Sequence, residues 1–227
     1  MNFKIVSFLT FLALAVMSSS KAQNAETLLQ NMDKLMSAPK DRVSTIEMTV
    51  TNKNEKEKVR EAILKQKGTD RKMYSYTKPE NKAGIATLSL PGGIMWLYMP
   101  SFGKPIKVSM LSKNQAFTGT DFSYEDMSGI SYSERYIPKI VKSEDNAYML
   151  ELTPKTKETT YSKILISLDK TYNYPVKMAF FGLDNVYEKL ATYKYAKQGK
   201  YWYAQEVLME DIKKNHSTKI VTKDIKF

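Results

Sequence analysis

The chain has 227 residues, a formal net charge of +11 and no cysteine. Without cysteine it has no disulfide, thiolate metal site or thiol nucleophile, so its stability depends on a hydrophobic core, which this length permits in one domain. The positive charge suits nucleic acid or an anionic membrane surface, but the lysines are scattered instead of clustered, which favours solvated strand faces.

The first residues have the pattern of a secretory signal peptide. Lys4 and a short apolar run are followed by Ser20 and Ala22, at the −3 and −1 positions of a signal-peptidase site. The alternative is an uncleaved membrane anchor, but the apolar run is shorter than the ~20 residues that span a bilayer. We therefore predict a signal peptide at 1–22 and a single domain at 23–227, soluble in the periplasm, where nucleic acid is not a partner.

One amphipathic helix is predicted soon after the cleavage site. In Ala25–Met36, the apolar residues Leu28, Leu29 and Met32 fall on one stripe at helical spacing. Pro39 prevents the helix from continuing much further, because proline lacks the amide hydrogen that a helix interior needs. The apolar stripe of this helix needs a surface to cover.

Most of the remaining chain alternates between apolar and polar residues with the period of two that is typical of half-buried strands. In residues 44–51, Ile46, Met48 and Val50 share one face. Further strands are predicted at 59–66, 72–78, 84–90, 94–99, 104–110, 148–153, 162–168, 176–181, 186–196, 201–213 and 218–227. We predict a mainly β protein with a large antiparallel sheet of about eleven strands, which curls because sheets of that size rarely stay flat.

The middle of the chain, residues 115–138, has a different character. Its aromatic and acidic residues lie among glycine and serine without a clear period. This pattern predicts a loop with one or two short helices, one of them capped by Asp121 or Ser123. The loop and the N-terminal helix are the natural covers for the concave face of the sheet.

Few residues are suited to catalysis or metal binding. The single histidine, His216, lies among polar residues and is interpreted as an exposed turn residue. Asp121 and Glu125 would lie one turn apart on a helix and could share acid–base work. The same spacing is typical of acidic residues at a helix N-terminus, which is the interpretation we favour. We predict no enzyme activity, no cofactor and no metal site.

The chain contains thirteen methionines and fifteen tyrosines. Methionine side chains are flexible and fit apolar ligands of irregular shape. Each of them alone is explained by core packing, but together they favour a hydrophobic cavity in a sheet that is difficult to fill. Residues 94–99 are apolar on both faces, so alternation does not tell which face points inward. The predicted lipid-binding residues are Ile46, Met48, Val50, Trp96, Tyr98, Leu150 and Leu152.

Three ordered motifs resemble those of a known family. They are Lys-Pro-Glu-Asn-Lys-Ala-Gly at 78–84, preceded by Arg71, then Met-Trp-Leu-Tyr-Met-Pro at 95–100 and Phe-Thr-Gly-Thr-Asp-Phe-Ser-Tyr-Glu-Asp at 117–126. In this order they resemble the outer-membrane lipoprotein-sorting family of LolA-like proteins. The resemblance implies an incomplete, half-open β-barrel that is lidded by the N-terminal helix and by short helices of the middle loop.

The resemblance also implies a function. Such proteins carry acylated lipoproteins or other lipids across the periplasm toward the outer membrane, without a cofactor, and exchange them with inner- or outer-membrane transport proteins. Many hold the lid closed with a buried arginine, for which Arg42, Arg60, Arg71 and Arg135 are the candidates here. A monomer is expected. The alternatives are a module that senses lipid or a partner, an accessory of a membrane exporter, or a hydrolase that uses the two carboxylates named above.

Overall fold

The computed structural model describes residues 24–52, 57–109 and 115–227. The predicted signal peptide at 1–22 lies outside these ranges. The α-helices within them are α1 (Ala25–Met36) and α2 (Tyr132–Arg135). Neither of these helices is long and apolar enough to cross a membrane.

Thirteen antiparallel strands form one sheet in the described part of the chain. They are β1 (Asp41–Asn52), β2 (Lys58–Lys67), β3 (Arg71–Lys78), β4 (Ala86–Leu90), β5 (Ile94–Tyr98), β6 (Pro105–Lys107), β7 (Tyr136–Ser143), β8 (Ala147–Pro154), β9 (Lys163–Asp169), β10 (Pro175–Phe181), β11 (Tyr187–Gln198), β12 (Tyr201–Asp211) and β13 (His216–Lys226). Strands β1 to β6 form one meander and β7 to β13 another, joined by the pairing of β1 with β13. The edge strands β6 and β7 do not pair with each other, so the curved sheet stays open, as predicted.

Helix α1 has the bounds that the sequence predicts. The side chain of Asn24 accepts a hydrogen bond from the amide of Glu26 (3.0 Å), which caps the helix N-terminus. The apolar stripe packs onto the molecule near α2, β7 and β12, and this burial stabilises the short helix more than its intrinsic propensity does. The fully buried residues of the stripe are Leu28, Leu29 and Met32.

Alternation along β1 defines the inner face of the sheet. Ile46, Met48 and Val50 are buried, while the residues between them are partly exposed. The register places Ile46 beside Ala62 of β2 and Thr222 of β13. The buried positions therefore continue across neighbouring strands as one surface, which α1 and the middle of the chain cover.

Two features differ from the sequence prediction. The described sheet has thirteen strands instead of about eleven, in part because β7 begins within the segment predicted as a loop. Pro138 hides this strand in the sequence, since proline is tolerated only on a sheet edge, and β7 pairs only with β8. The short helix of the middle segment begins at Tyr132, not at Asp121 or Ser123.

Candidate functional site

A middle loop, residues 115–131, covers one half of the inner face. Its buried apolar side chains are Phe117, Phe122, Tyr124 and Met127. The ring of Phe117 lies 5.4 Å from the rings of Tyr74, on β3, and Tyr124, in the loop itself. These edge-to-face contacts attach the loop to the first meander.

The other half of the inner face is not filled. A cavity of about 460 Å³ lies between the sheet, the second half of α1 and the segment around α2. This volume falls within the roughly 300–1,000 Å³ of small-molecule sites. The cavity is already present in the folded sheet, so an apolar ligand could be buried there without breaking the pairing of any strands. The apolar and aromatic lining includes Ile46, Leu64, Tyr193, Tyr195, Trp202, Val207, Ile220 and Ile225.

Two half-buried cations, Arg42 and Lys72, border the cavity, and neither pairs with a carboxylate among the described residues. Arg42 of β1 has a buried Nε without a hydrogen-bond partner, and burial lowers its pKa. Lys72 of β3 donates a long hydrogen bond of 3.4 Å to the carbonyl oxygen of Ser128. Burial, and then the nearby cations Arg42 and Arg135, lower the pKa of Lys72 to about 8.

Asp33, on α1, also borders the cavity, but the hydrogen bonds of its carboxylate go to α2. Its carboxylate accepts hydrogen bonds from the amides of Tyr132 (3.0 Å) and Ser133 (2.8 Å) at the start of α2. Burial raises the pKa of Asp33 despite these hydrogen bonds. The carboxylate thus fixes α2 against α1 and closes one wall of the cavity.

Two other arginines hold the middle loop in place. Arg60 of β2 donates a hydrogen bond to the carbonyl oxygen of Thr118 at 2.5 Å. Arg135 of α2 forms a buried ion pair with Glu125 of the loop, with 2.5 Å between nitrogen and oxygen. The second carboxylate oxygen of Glu125 accepts a hydrogen bond from the amide of Thr160 (2.7 Å). The loop is therefore attached to both meanders by buried polar contacts.

Asp121 and Glu125 do not form a paired acid–base site, because their partners differ. Asp121 lies 2.7 Å from Nδ1 of His216 and accepts a hydrogen bond from the hydroxyl of Thr218 at 2.6 Å. No helix begins at Asp121, so the interpretation as helix-terminal carboxylates is wrong. The interpretation of His216 as an exposed turn residue is also wrong: it begins β13, and its side chain is 22% exposed because it turns toward Asp121. The described residues contain no cluster of three or more possible metal ligands.

Five of the predicted lipid-binding residues lie on the inner face. Ile46 lines the cavity. Met48, Val50, Leu150 and Leu152 are buried on the same face without lining it. Their contact with a lipid stays a prediction.

The other two, Trp96 and Tyr98, lie on the outer face of the sheet. Met95 beside them is buried in the core, and the register places Trp96 opposite Leu88 of β4. Trp96 and Tyr98 line a shallow apolar recess that is separate from the cavity. The structure therefore does not bring these two residues together with Ile46.

Trp202 lines the cavity but is absent from the predicted set. The register between β11 and β12 skips Gln205, which makes a β-bulge. A bulge shifts the alternation by one residue, so Trp202 and Val207 both line the cavity although they are five positions apart. Nothing in the sequence around Gln205 signals this bulge.

Comparisons with known proteins agree on the fold. A family model described as an uncharacterized protein matches residues 68–227. No curated protein shows a significant match. A domain from Vibrio parahaemolyticus, provisionally described as an outer membrane lipoprotein-sorting protein, is 27% identical, with 89% of this chain and 92% of that chain covered and a TM-score of 0.82.

Two further solved structures are similar in fold. A LolA superfamily protein from Nitrosomonas europaea is 22% identical over 91% of this chain and 94% of its own, with a TM-score of 0.78. A DUF1329 family protein from Desulfovibrio piger is 21% identical over 89% of this chain and 91% of its own, with a TM-score of 0.82. The open sheet with its covering helix is thus shared along nearly the whole length of these chains.

We predict that Glu125→Gln lowers the free energy of unfolding by about 3 kcal/mol, because Arg135 then stays buried without its counter-charge. Urea denaturation followed by circular dichroism measures the change. The matched control is Glu144→Gln, since the Lys142–Glu144 pair is solvent-exposed and should contribute little. Equal effects of the two substitutions would contradict the role of the buried pair.

We also predict that Lys72→Met stabilises the ligand-free protein at pH 7. The pKa of Lys72 is lowered from 10.5 to about 8, and each pKa unit corresponds to about 1.4 kcal/mol, so the gain reaches at most about 3.5 kcal/mol. It should be constant below pH 8 and shrink as the pH rises from 8 toward 10.5, because the wild-type lysine then loses its charge in the folded state.

Urea denaturation at a series of pH values measures this dependence. Lys65→Met is the control, because Lys65 is exposed and paired in register with Met73 on the outer side of the same strands. A stability gain from Lys72→Met that does not change with pH would contradict the charge as its cause.

Proposed function

Because the chain belongs to the LolA-like family of outer-membrane lipoprotein-sorting proteins, we propose that it is a carrier of lipoprotein acyl chains or other lipids. The observation that carries this proposal is the cavity of about 460 Å³ with its apolar lining beneath α1 and the middle loop. Each methylene group that leaves water contributes ~0.8 kcal/mol, so such a cavity retains an acyl chain strongly. Partial burial leaves the bound lipid available for handover.

In this proposal the middle loop is the lid of the cavity. Arg60 and Arg135 hold it closed through Thr118 and Glu125. Neither of the other two arginine candidates has a described hydrogen bond to the loop: Arg42 lines the cavity, and the Arg71 side chain is 53% exposed. Loading and release then require these two sets of contacts to open, in exchange with inner- or outer-membrane transport proteins.

The proposal includes a location and a reaction class. A signal peptide at 1–22 directs the chain to the periplasm, where the single domain at 23–227 acts as a monomer. The carrier has no catalytic step and no cofactor. Asp121 and Glu125 have separate partners, His216 and Arg135, so the two carboxylates do not share one acid–base site.

The first test is native mass spectrometry of the protein purified from the periplasm, followed by lipid extraction. If the protein is a carrier, we expect lipid to co-purify with it and to be transferred to acceptor vesicles or to an acceptor protein. Bound lipid that is never transferred would favour a lipid-sensing module or an exporter accessory. A lipid-free protein that also fails to bind a fluorescent fatty acid would contradict both.

The two tryptophans report where a ligand binds. Trp202 lines the cavity, and Trp96 lies in the outer recess. We predict that lipid binding changes the fluorescence of wild type and of Trp96→Phe, but not of Trp202→Phe. The reverse pattern would move the binding site to the outer recess, where Trp96 and Tyr98 lie.

A cavity-filling substitution tests occupancy directly. We predict that Val207→Phe weakens binding of a fluorescent fatty acid at least tenfold, since the larger ring takes space that the acyl chain needs. Val186→Phe is the control, because Val186 is 47% exposed and does not line the cavity. Unchanged binding by the Val207 variant would exclude this cavity as the lipid site.

A further inference from the structure

Arg42 and Lys72 lie in one row across the inner face of the sheet. The register pairs Arg42 with Gln66 of β2, and Gln66 with Lys72. The two cations are therefore two strand spacings apart, or roughly 10 Å between their backbones. Side chains of their length can reach a common anion from these positions.

Gln66, the middle residue of the row, has its own hydrogen-bond partners. Its side-chain amide donates hydrogen bonds to the carbonyl oxygens of Ser37 (2.8 Å) and Gly68 (3.1 Å). It ties the end of α1 to the turn after β2 and takes no part in the cavity lining. Gln66 lies between the two cations in the row, but its amide nitrogen is engaged by these carbonyl oxygens, and only Arg42 and Lys72 of the three line the cavity.

The acidic residues that border the cavity have other partners. Asp33 caps α2, Asp126 accepts a hydrogen bond from the hydroxyl of Tyr161 at 2.8 Å, and Glu134 accepts one from Ser131 at 2.6 Å. Asp70 lies beside Arg71 on the exposed turn. Arg135, which also lines the cavity, is already neutralised by Glu125. Of the described cations that line the cavity, Arg42 and Lys72 on the sheet and the exposed Lys34 on α1 have no carboxylate partner.

We propose that the ligand is an amphiphile with an anionic head group, which binds between Arg42 and Lys72 while its chain occupies the apolar part of the cavity. The inference rests on the proposed function, because it assigns the polar end of the same cavity. A partly buried charge without a partner is unfavourable. A ligand that supplies the opposite charge therefore interacts favourably with Arg42 and with Lys72. The planar donor fork of arginine fits a carboxylate or a phosphate equally well.

Further along β1 from Arg42, the lining of the cavity becomes apolar, as the chain of such a ligand requires. Ile46 follows Arg42 by four residues on the same strand and the same face, which is roughly 13 Å along β1. Leu64, Ile220 and Val207 continue this lining onto the neighbouring strands. The apolar lining that extends away from the two cations suits the chain of an amphiphile.

The test compares ligands that share a lauryl chain and differ in the head group. Binding of laurate, lauroyl lysophosphatidate and neutral monolauroylglycerol is measured by displacement of a fluorescent probe at pH 7. The two anionic ligands should bind at least tenfold more tightly than the neutral one, and their ratio distinguishes a carboxylate from a phosphate head group. Arg42→Gln and Lys72→Gln should each remove most of this preference and leave binding of the neutral ligand within about twofold.

Arg71→Gln and Lys65→Gln serve as matched controls, because both residues are exposed and outside the cavity lining. They should leave the preference intact. A loss of preference in the controls would assign it to the overall positive charge and overturn the proposal. Arg42→Lys, which keeps the charge, should retain part of the preference for the anionic ligands.

A pH series on the wild-type protein tests the proposal without any substitution. The affinity for the anionic ligands should fall as the pH rises above 8, where Lys72 loses its charge, while the affinity for the neutral ligand should not change. The charged groups that face Lys72 are Arg42 from β1, Arg135 from α2 and Asp33 from α1, and none of them changes its charge in the same direction there.

The outcomes separate the two proposals. If no lauryl ligand binds, the carrier function itself fails. If all three bind equally, at every pH and in every variant, the carrier function stands and the anionic head group is excluded.

Discussion

The pairing of β1 with β13 is the contact on which the rest of the structure depends. It joins the first strand of the domain to the last, from Val43 opposite Lys226 to Asn52 opposite His216. Each meander is local in sequence, but their union is not, and one continuous inner face exists only after it forms. Ile46 and Ile220 then line the same cavity, and Thr218 comes within reach of Asp121 in the middle loop. The continuous inner face and the contacts of the middle loop with β13 both depend on this one non-local ladder.

The middle loop connects the two meanders and fills only one half of the inner face. Its aromatic residues fill the half of the inner face where Phe117 meets Tyr74. The other half is covered by α1 and α2, and hydrogen bonds from Gln66 to the end of α1 and to Asp33 from the start of α2 fix these covers in place. The cavity lies between these covers and the sheet.

Much of this fold could be predicted from the sequence, and the failures have specific physical causes. The apolar stripe of α1 and the alternation of Ile46, Met48 and Val50 are local patterns, and both agree with the structure. The same alternation, continued backward along β1, would have placed Arg42 on the inner face, so that signal was present. The bulge at Gln205, which brings Trp202 into the cavity, depends on the register with β11 and has no local signature. The partner of His216 lies 95 positions away, which no local pattern reveals.

Buried charges in this protein have two opposite consequences. Where they are paired, as in Arg135 with Glu125, separating them leaves a lone charge in a poorly solvated place, so detaching the middle loop costs free energy. Where they are unpaired, as in Arg42 and Lys72, they destabilise the empty protein and favour any state in which an anion is present. A ligand that binds the folded state alone also stabilises it by mass action. An apolar cavity without these cations would bind acyl chains in either orientation, whereas a charged end makes one orientation much the more stable. In the proposed complex, the chain of the ligand lies toward Ile46 and its head group lies between Arg42 and Lys72.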